Sequence, residues 1–298
     1  LPRLACAGTK TPPPEAPILP APSAAPAPSA ESPPPFKVTV QGSGPHLLLI
    51  PGLSNGGETL AGIASTYEDR FTVHTLTLAG FAGTTPLPGE AFLPVVKEGV
   101  IAYIKDLDSV TLMGHSLGAA LSYWVASDAP EAVDAVIAID GLPYLSDLMS
   151  PGITPEAALR SATAMKTQMS SLNADAFCAQ TRYALSTMIT APEDQEAVAA
   201  VACQSEAKAS AQAVFELMTT DLRPDIAKIT APLLLLGAGA FAPGEEAKAQ
   251  LHARYEAQVA AAPTHQVVII DGARHYIFLD QPEAFYAQVD AFLGDVAR

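Results

Sequence analysis

The segment Val110–Gly118 carries the residues whose types and spacing best suit catalysis. It reads Val-Thr-Leu-Met-Gly-His-Ser-Leu-Gly, so an apolar run leads directly into the pattern G-x-S-x-G, and helix-forming residues follow from Ala119. Between a strand and a helix, this pattern places a serine on a sharp turn where flanking side chains would clash, so glycines are needed. We predict that Ser116 is a nucleophile at the edge of a sheet. The turn also aims the start of the helix, and the amide of Leu117, at a developing oxyanion.

His275 stands in a second segment that could supply a base. An apolar run, QVVII, is followed by the short loop DGARHY, and His275 is the histidine of that loop. A neutral imidazole can accept the proton of Ser116 during attack and return it to the leaving group. The alternative is a surface histidine without a role. His115, next to the serine, is predicted to be structural.

Three segments, GHSLGAA, IPGLSNGG and DGARHYIFLDQPEAF, resemble the α/β-hydrolase superfamily. The resemblance runs from about Phe36 to the C-terminus and is specific for fold and catalytic class, but not for substrate. It implies that the general base follows the last strand, as His275 does. It also implies that the backbone amide of Leu53 is an oxyanion donor beside that of Leu117. Many relatives begin this loop with His-Gly, whereas this chain has Pro-Gly.

The acid that would orient the histidine departs from the commonest family pattern. In most relatives an Asp follows the strand that corresponds to Pro232–Leu236, but here the loop reads GAGAFAPG, and the next carboxylates are Glu245 and Glu246. Those two suit the start of a helix. Val133–Ile139 leads into Asp140, and some branches, the haloalkane dehalogenases among them, carry their acid after this strand. We predict Asp140 as the third member of a catalytic triad; Glu245, Glu246, a dyad, or a turn-forming Asp-Gly remain alternatives.

Short apolar runs alternate with helical stretches after Phe36, and runs such as HLLLI and PLLLL are typical of strands buried on both faces. The alternation predicts an α/β protein with a doubly wound, mainly parallel sheet, which the resemblance identifies as the α/β-hydrolase fold. Strands are predicted at Lys37–Val40, His46–Ile50, Phe71–Leu78, Val110–Met113, Val133–Ile139, Pro232–Leu236 and Gln266–Ile270. Helices are predicted at Glu58–Thr66, Phe92–Lys105, Ala119–Ser127, Glu245–Ala260 and Glu283–Leu293.

One long section interrupts this alternation. Between Leu142 and Arg223 no convincing strand occurs, and Thr154–Ser170 and Glu193–Thr219 are rich in helix formers. We predict a helical cap over the carboxyl edge of the sheet. The domain prediction is therefore a disordered Pro/Ala-rich linker or tail at 1–35, a hydrolase core at 36–141 and 224–298, and a cap at 142–223.

The cysteines and the linker bear on the compartment. Cys178 and Cys203 lie 25 positions apart in the predicted cap, and they could pair in an exported protein or stay as buried thiols in a cytosolic one. Residues 11–35 contain eleven prolines, which favour an extended spacer. Cys6 follows a poor lipoprotein box, since Arg3 stands where a leucine is expected. We expect a disulfide and an exported protein, which is periplasmic, secreted or tethered to the envelope through the linker.

Composition excludes several classes of function. The formal charge of −15 argues against binding of nucleic acid, whose phosphates need basic patches. No stretch of 18 uninterrupted apolar residues occurs, so no transmembrane segment is expected in this sequence. Neither a CxxC pair nor an HExxH motif is present, and we expect no metal and no cofactor.

The identity of the nucleophile limits the reactions that this protein could catalyse. Haloalkane dehalogenases and epoxide hydrolases of the superfamily that this sequence resembles use Asp at this turn, so Ser116 excludes both activities. We predict a carboxylesterase that acts on small to medium apolar esters through an acyl-enzyme. A lactonase, a carbon–carbon bond hydrolase of the same fold, and a non-catalytic binding protein on this scaffold remain alternatives. The methionines and aromatic residues of the cap either line an acyl pocket or pack the cap on the core.

Overall fold

Within residues 33–296, which the computed structural model describes, seven β-strands form one sheet in the order β1-β3-β2-β4-β5-β6-β7. The strands are β1 Phe36–Gly42, β2 His46–Ile50, β3 Thr72–Leu78, β4 Val110–His115, β5 Val133–Ile139, β6 Leu233–Ala238 and β7 His265–Ile270. Only β1 is antiparallel to its neighbour. The predicted mainly parallel sheet is confirmed. Predictions about residues 1–32, including Cys6 and most of the linker, lie outside the described residues.

The central strands are buried on both faces because helices cover both sides of the sheet. Along β2, Leu47 and Leu49 enter one hydrophobic core, whereas Leu48 and Ile50 enter the other. All four side chains are fully buried. This alternation explains why the sequence of a central strand is a continuous apolar run, since successive residues point to opposite faces and both faces are dry.

The helices that flank the sheet alternate with its strands. They are α1 Ala61–Tyr67, α2 Leu93–Ile104, α3 Leu117–Asp128, α9 Glu245–Val259, α10 Ile277–Asp280 and α11 Pro282–Val296. Between β5 and β6 the chain forms α4 Leu145–Met149, α5 Pro155–Ser170, α6 Ala174–Met188, α7 Pro192–Ala202 and α8 Ala207–Thr219. No helix in the described part of the chain is long and apolar enough to span a membrane.

The stretch Glu193–Thr219, which is rich in helix formers, is broken at residues 203–206. The break has a tertiary cause, because backbone groups of this turn pair with the loop after β3 instead of continuing the helix. The amide of Gly83 donates to the carbonyl of Gln204 at 3.1 Å, and the amide of Glu206 donates to the carbonyl of Gly80 at 2.8 Å. Helix propensity could not reveal these partners, which lie more than 120 positions away.

A disulfide joins Cys178 on α6 to Cys203 at the end of α7, as the sequence predicted. Closing a loop of this length stabilises a protein by about 3 kcal/mol through the reduced entropy of the unfolded chain. Such a bond suits an oxidising compartment. Export of the protein stays a prediction.

The Glu216 carboxylate on α8 connects the helices between β5 and β6 to the start of α2. Glu216 accepts hydrogen bonds from the amides of Phe92 at 3.0 Å and Leu93 at 2.6 Å, at the start of α2. The first amides of a helix lack partners within it, and the helix dipole favours an anion there. Burial raises the pKa of Glu216 although these hydrogen bonds oppose the shift.

Candidate active site

Ser116 occupies a strained turn between β4 and α3. Its φ of 55° and ψ of −114° lie in a region that residues other than glycine rarely adopt. The two glycines of the motif allow close packing here. A methyl group at Gly114 would collide with the carbonyl of Gly118, and one at Gly118 would collide with the carbonyl of Ile50. Strain of this kind persists where the surrounding structure enforces it, typically at functional sites.

His275 lies on the loop after β7, at the same carboxyl edge of the sheet. Its Nδ1 is 2.6 Å from Oδ2 of Asp140, and the His275 side chain is 24% exposed, against 9% for Asp140. His115, the neighbour of Ser116, has its ring 4.7 Å from the ring of His275. The fold thus brings all three predicted residues to one region. Within the described residues the Ser116 hydroxyl makes no hydrogen bond to His275, a contact that often tightens only in the complex with substrate.

Asp140 is held by donors on both carboxylate oxygens. Besides His275 on Oδ2, the amide of Ala238 donates to Oδ1 at 2.9 Å and the hydroxyl of Tyr255 donates to Oδ1 at 2.8 Å. Burial by itself raises the pKa of Asp140, but these hydrogen bonds and the charge of His275 lower it more, so the pKa is below its usual value. The carboxylate is therefore ionised at neutral pH and able to fix the orientation of the imidazole.

Glu245 and Glu246 do not reach His275. They begin α9, where Glu245 pairs with Lys248 at 3.2 Å and its side chain is 93% exposed. The Glu246 carboxylate accepts a hydrogen bond from the side-chain amide of Gln250 at 3.5 Å. Both carboxylates therefore complement the start of a helix, as the sequence predicted.

Leu53 and Leu117 lie beyond the carboxyl ends of the neighbouring strands β2 and β4. Leu117 is the first residue of α3, so its amide has no acceptor within the helix. Leu53 follows β2, and its carbonyl accepts a hydrogen bond from Asn55 Nδ2 at 3.0 Å. The same Asn55 amide donates to the Tyr276 hydroxyl at 2.8 Å, which links this loop to the loop of His275. The arrangement suits two backbone donors that converge on a carbonyl attacked by Ser116.

His115 has a structural part in this arrangement. Its Nε2 donates to the carbonyl of His275 at 3.1 Å. Burial, reinforced by the neighbouring His275, lowers the pKa of His115 to about 3, so the ring is neutral at physiological pH. By donating from Nε2, the neutral ring holds the backbone of the loop that carries His275.

Several residues that support the site carried no recognisable sequence signal. Tyr255, Ala238 and Asn55 act through contacts with residues far away in the chain, and Tyr255 is 115 positions from Asp140. An isolated tyrosine within a helical stretch looks the same whether it faces solvent or a carboxylate.

An open cavity of about 460 Å³ borders the Asp140–His275 pair. Its apolar wall includes Met188 at the end of α6, Phe241 after β6 and Leu251 on α9. Phe241 is 75% exposed and Met188 is 37% exposed. Of the cap residues considered as pocket candidates, Met188 lines this cavity, whereas Phe177 and Met218 are buried in packing.

The described residues contain no group of three or more His, Cys, Asp or Glu side chains arranged to hold a metal ion. The polar groups around Ser116 are a hydroxyl, an imidazole, a carboxylate and backbone amides. They suit proton transfer and nucleophilic attack.

Comparison with known proteins identifies the family of this chain. A model of the alpha/beta hydrolase family matches residues 47–288. The pimeloyl-[acyl-carrier protein] methyl ester esterase of Aeromonas hydrophila is 33% identical over 118 residues, and this match spans 39% of the chain and 45% of that enzyme. The 2-(acetamidomethylene)succinate hydrolase of Mesorhizobium japonicum is 24% identical over 87% of this chain and 91% of its own length.

Among solved structures, a thermophilic esterase from Thermogutta terrifontis superposes with a TM-score of 0.70 at 18% sequence identity. The superposition covers 88% of this chain and 93% of that one. At such low identity the likeness concerns the fold.

Proposed function

Because this chain belongs to the alpha/beta hydrolase family, we propose that it is a serine hydrolase that cleaves carboxylic esters through an acyl-enzyme intermediate. The observation that carries the proposal is the 2.6 Å contact between His275 Nδ1 and Asp140 Oδ2, beside a serine in a strained turn. A buried carboxylate on Nδ1 leaves Nε2 of the same ring as the proton acceptor. The esterase and hydrolase relatives support the same class of reaction.

The reaction follows from these roles. Ser116 Oγ attacks the ester carbonyl carbon while its proton passes to His275 Nε2. The amides of Leu53 and Leu117 donate to the oxyanion of the tetrahedral intermediate. The intermediate collapses to the acyl-enzyme as His275 returns the proton to the departing alkoxide oxygen. Water then attacks the acyl carbon, again giving its proton to His275, and the second collapse frees the carboxylic acid and restores the Ser116 hydroxyl.

Labelling with a fluorophosphonate tests the nucleophile directly. We expect the folded protein to be phosphonylated on Ser116, since the reagent requires an activated serine. Peptide mapping by mass spectrometry identifies the modified residue. The Ser186→Ala variant, which removes an exposed hydroxyl on α6, should label like the wild type. An unlabelled folded protein, or a label on another serine, would overturn the serine-hydrolase proposal.

We further propose that the substrate is a small to medium ester with an apolar acyl chain. Support comes from the apolar wall of Phe241, Met188 and Leu251 beside His275. Burying one methylene contributes about 0.8 kcal/mol, or about fourfold in kcat/KM. We expect kcat/KM for p-nitrophenyl esters to rise by about this factor per methylene from acetate to butyrate, and lactones to be poorer substrates.

A pair of aromatic substitutions tests the wall. Phe241→Ala should flatten the chain-length dependence, whereas Tyr183→Ala, at a site equally exposed but outside the cavity, should leave it unchanged. Lactone turnover above that of every ester would favour the lactonase alternative. An unchanged chain-length dependence in Phe241→Ala would contradict the assignment of the cavity.

A further inference from the structure

The turn between α7 and α8 reaches across to the loop that follows β2. Ser205 on this turn donates from Oγ to the carbonyl of Ser54 at 2.7 Å. The same hydroxyl oxygen accepts from the amide of Ala82 at 2.8 Å. Ser205 is only 8% exposed, so water competes little for these bonds. One hydroxyl therefore ties the cap to two loops at the carboxyl edge of the sheet.

A second cap residue holds the same position of the β2 loop. The hydroxyl oxygens of Ser54 and Ser210, the latter on α8, lie 2.8 Å apart. Ser210 is fully buried and Ser54 is 6% exposed. Both polar ends of Ser54, its carbonyl and its side chain, are thus bound by the cap.

Ser54 needs such support because its backbone is strained. Its φ of 60° lies in the left-handed region, which is unfavourable for residues other than glycine and asparagine. A residue of this kind relaxes unless its surroundings hold it. Ser54 belongs to the turn in which the amide of Asn55 donates to the carbonyl of Gly52 at 3.1 Å, and the Leu53 amide lies in the first peptide unit of the same turn. A relaxation of the Ser54 backbone would open this turn and so displace the Leu53 amide.

We propose that Ser205 and Ser210 are positioning residues that keep the Leu53 amide aimed at the oxyanion, so that the cap completes the oxyanion hole. The proposal rests on the serine-hydrolase function given above. Oxyanion donors act at 2.7–3.1 Å from the developing charge, and a misplacement of about 1 Å can cost on the order of 100-fold in rate. The cap would thereby contribute to transition-state binding from residues that do not touch the substrate.

Ser146 provides a matched control for a purely structural role. Its hydroxyl donates to the carbonyl of Met218 at 2.7 Å, and the residue is 1% exposed. Like Ser205, it is a buried serine whose hydroxyl binds a distant carbonyl, but it joins α4 to the end of α8 within the cap and does not contact the β2 loop. Loss of a buried serine hydrogen bond of the cap, without an effect on the β2 loop, would affect Ser146→Ala and Ser205→Ala equally.

The test compares Ser205→Ala, Ser205→Thr and Ser146→Ala. For Ser205→Ala we expect kcat to fall about 10- to 100-fold with KM changed less than about twofold, because an oxyanion contact acts only in the transition state. Inhibition by a trifluoromethyl ketone, whose adduct with Ser116 carries an oxyanion, should weaken by the same factor. Ser205→Thr retains the hydroxyl and should recover most of kcat, and Ser146→Ala should keep both values within about threefold.

Several outcomes would overturn the proposal. Wild-type kcat in folded Ser205→Ala, a change in KM alone, or an equal loss in Ser146→Ala would each contradict it. If Ser205→Ala does not fold, Ser210→Ala takes its place with the same expectations and the same controls. Failure of the proposed function is recognised separately, since Ser116 would then escape fluorophosphonate labelling in the wild type; a labelled Ser116 with a fully active Ser205→Ala rejects the positioning role alone.

Discussion

Replacing Ser116 with alanine should lower kcat for ester hydrolysis by about 10⁶-fold, to the level left by binding and the oxyanion donors. The loss is large because the proposed acyl-enzyme forms on the Ser116 hydroxyl. The fold should persist, since alanine removes one oxygen and the backbone contacts of this turn, such as the amide of Ser116 to the carbonyl of Ile139 at 2.8 Å, remain.

The measurement is burst and steady-state kinetics on a p-nitrophenyl ester, with circular dichroism to confirm folding. Ser186→Ala, at an exposed position of α6, serves as the matched serine control and should retain wild-type kcat. Turnover in Ser116→Ala within tenfold of the wild type would mean that hydrolysis proceeds through another nucleophile or through directly activated water.

Replacing Asp140 with asparagine should lower kcat by about 10⁴-fold. Asparagine preserves the shape of the side chain but cannot stabilise the imidazolium or fix the required tautomer of His275. The carboxylate of the wild type stays ionised across about pH 6–9, because the hydrogen bonds from His275, Ala238 and Tyr255 keep its pKa below the usual value despite burial. Titration of Asp140 should therefore contribute nothing to the pH dependence of kcat over that range.

Glu245→Gln and Glu246→Gln are the controls, since both remove a carboxylate at the start of α9 that does not contact His275. They should leave kcat within about twofold of the wild type. Near wild-type turnover in Asp140→Asn, combined with a large loss in Glu245→Gln, would reverse the assignment of the acid. The pH profiles of kcat/KM for all three variants complete the comparison.

The sequence was sufficient for the parts of the fold that depend on local pattern. The apolar runs HLLLI and PLLLL became β2 and most of β6, because continuous hydrophobicity is what a strand covered on both faces requires. The strand–glycine–serine–helix order placed Ser116 in its turn for a similar reason, since close packing of Gly114 and Gly118 leaves no room for side chains. Asp140 was found because it directly follows an apolar strand.

Local pattern failed where distant partners decide the conformation. Glu193–Thr219 contains helix formers throughout, yet residues 203–206 leave the helix to pair with the loop after β3. The methionines of the cap were indistinguishable in sequence, although Met188 lines the cavity and Met218 is buried. In both cases a residue far away in the sequence supplies the stabilising contact, and helix propensity does not depend on such distant contacts.

The sequence by itself therefore determined the order of strands and helices, the strained serine turn and the candidates His275 and Asp140. Tertiary structure decided that Asp140, and neither glutamate of α9, pairs with His275, and that Tyr255 shares the carboxylate. It also decided that Ser205 and Ser210 hold the β2 loop across more than 150 residues of chain. The physical reason is that periodicity and propensity act over a few neighbouring residues, whereas these hydrogen bonds exist only once the sheet has brought its loops to one edge.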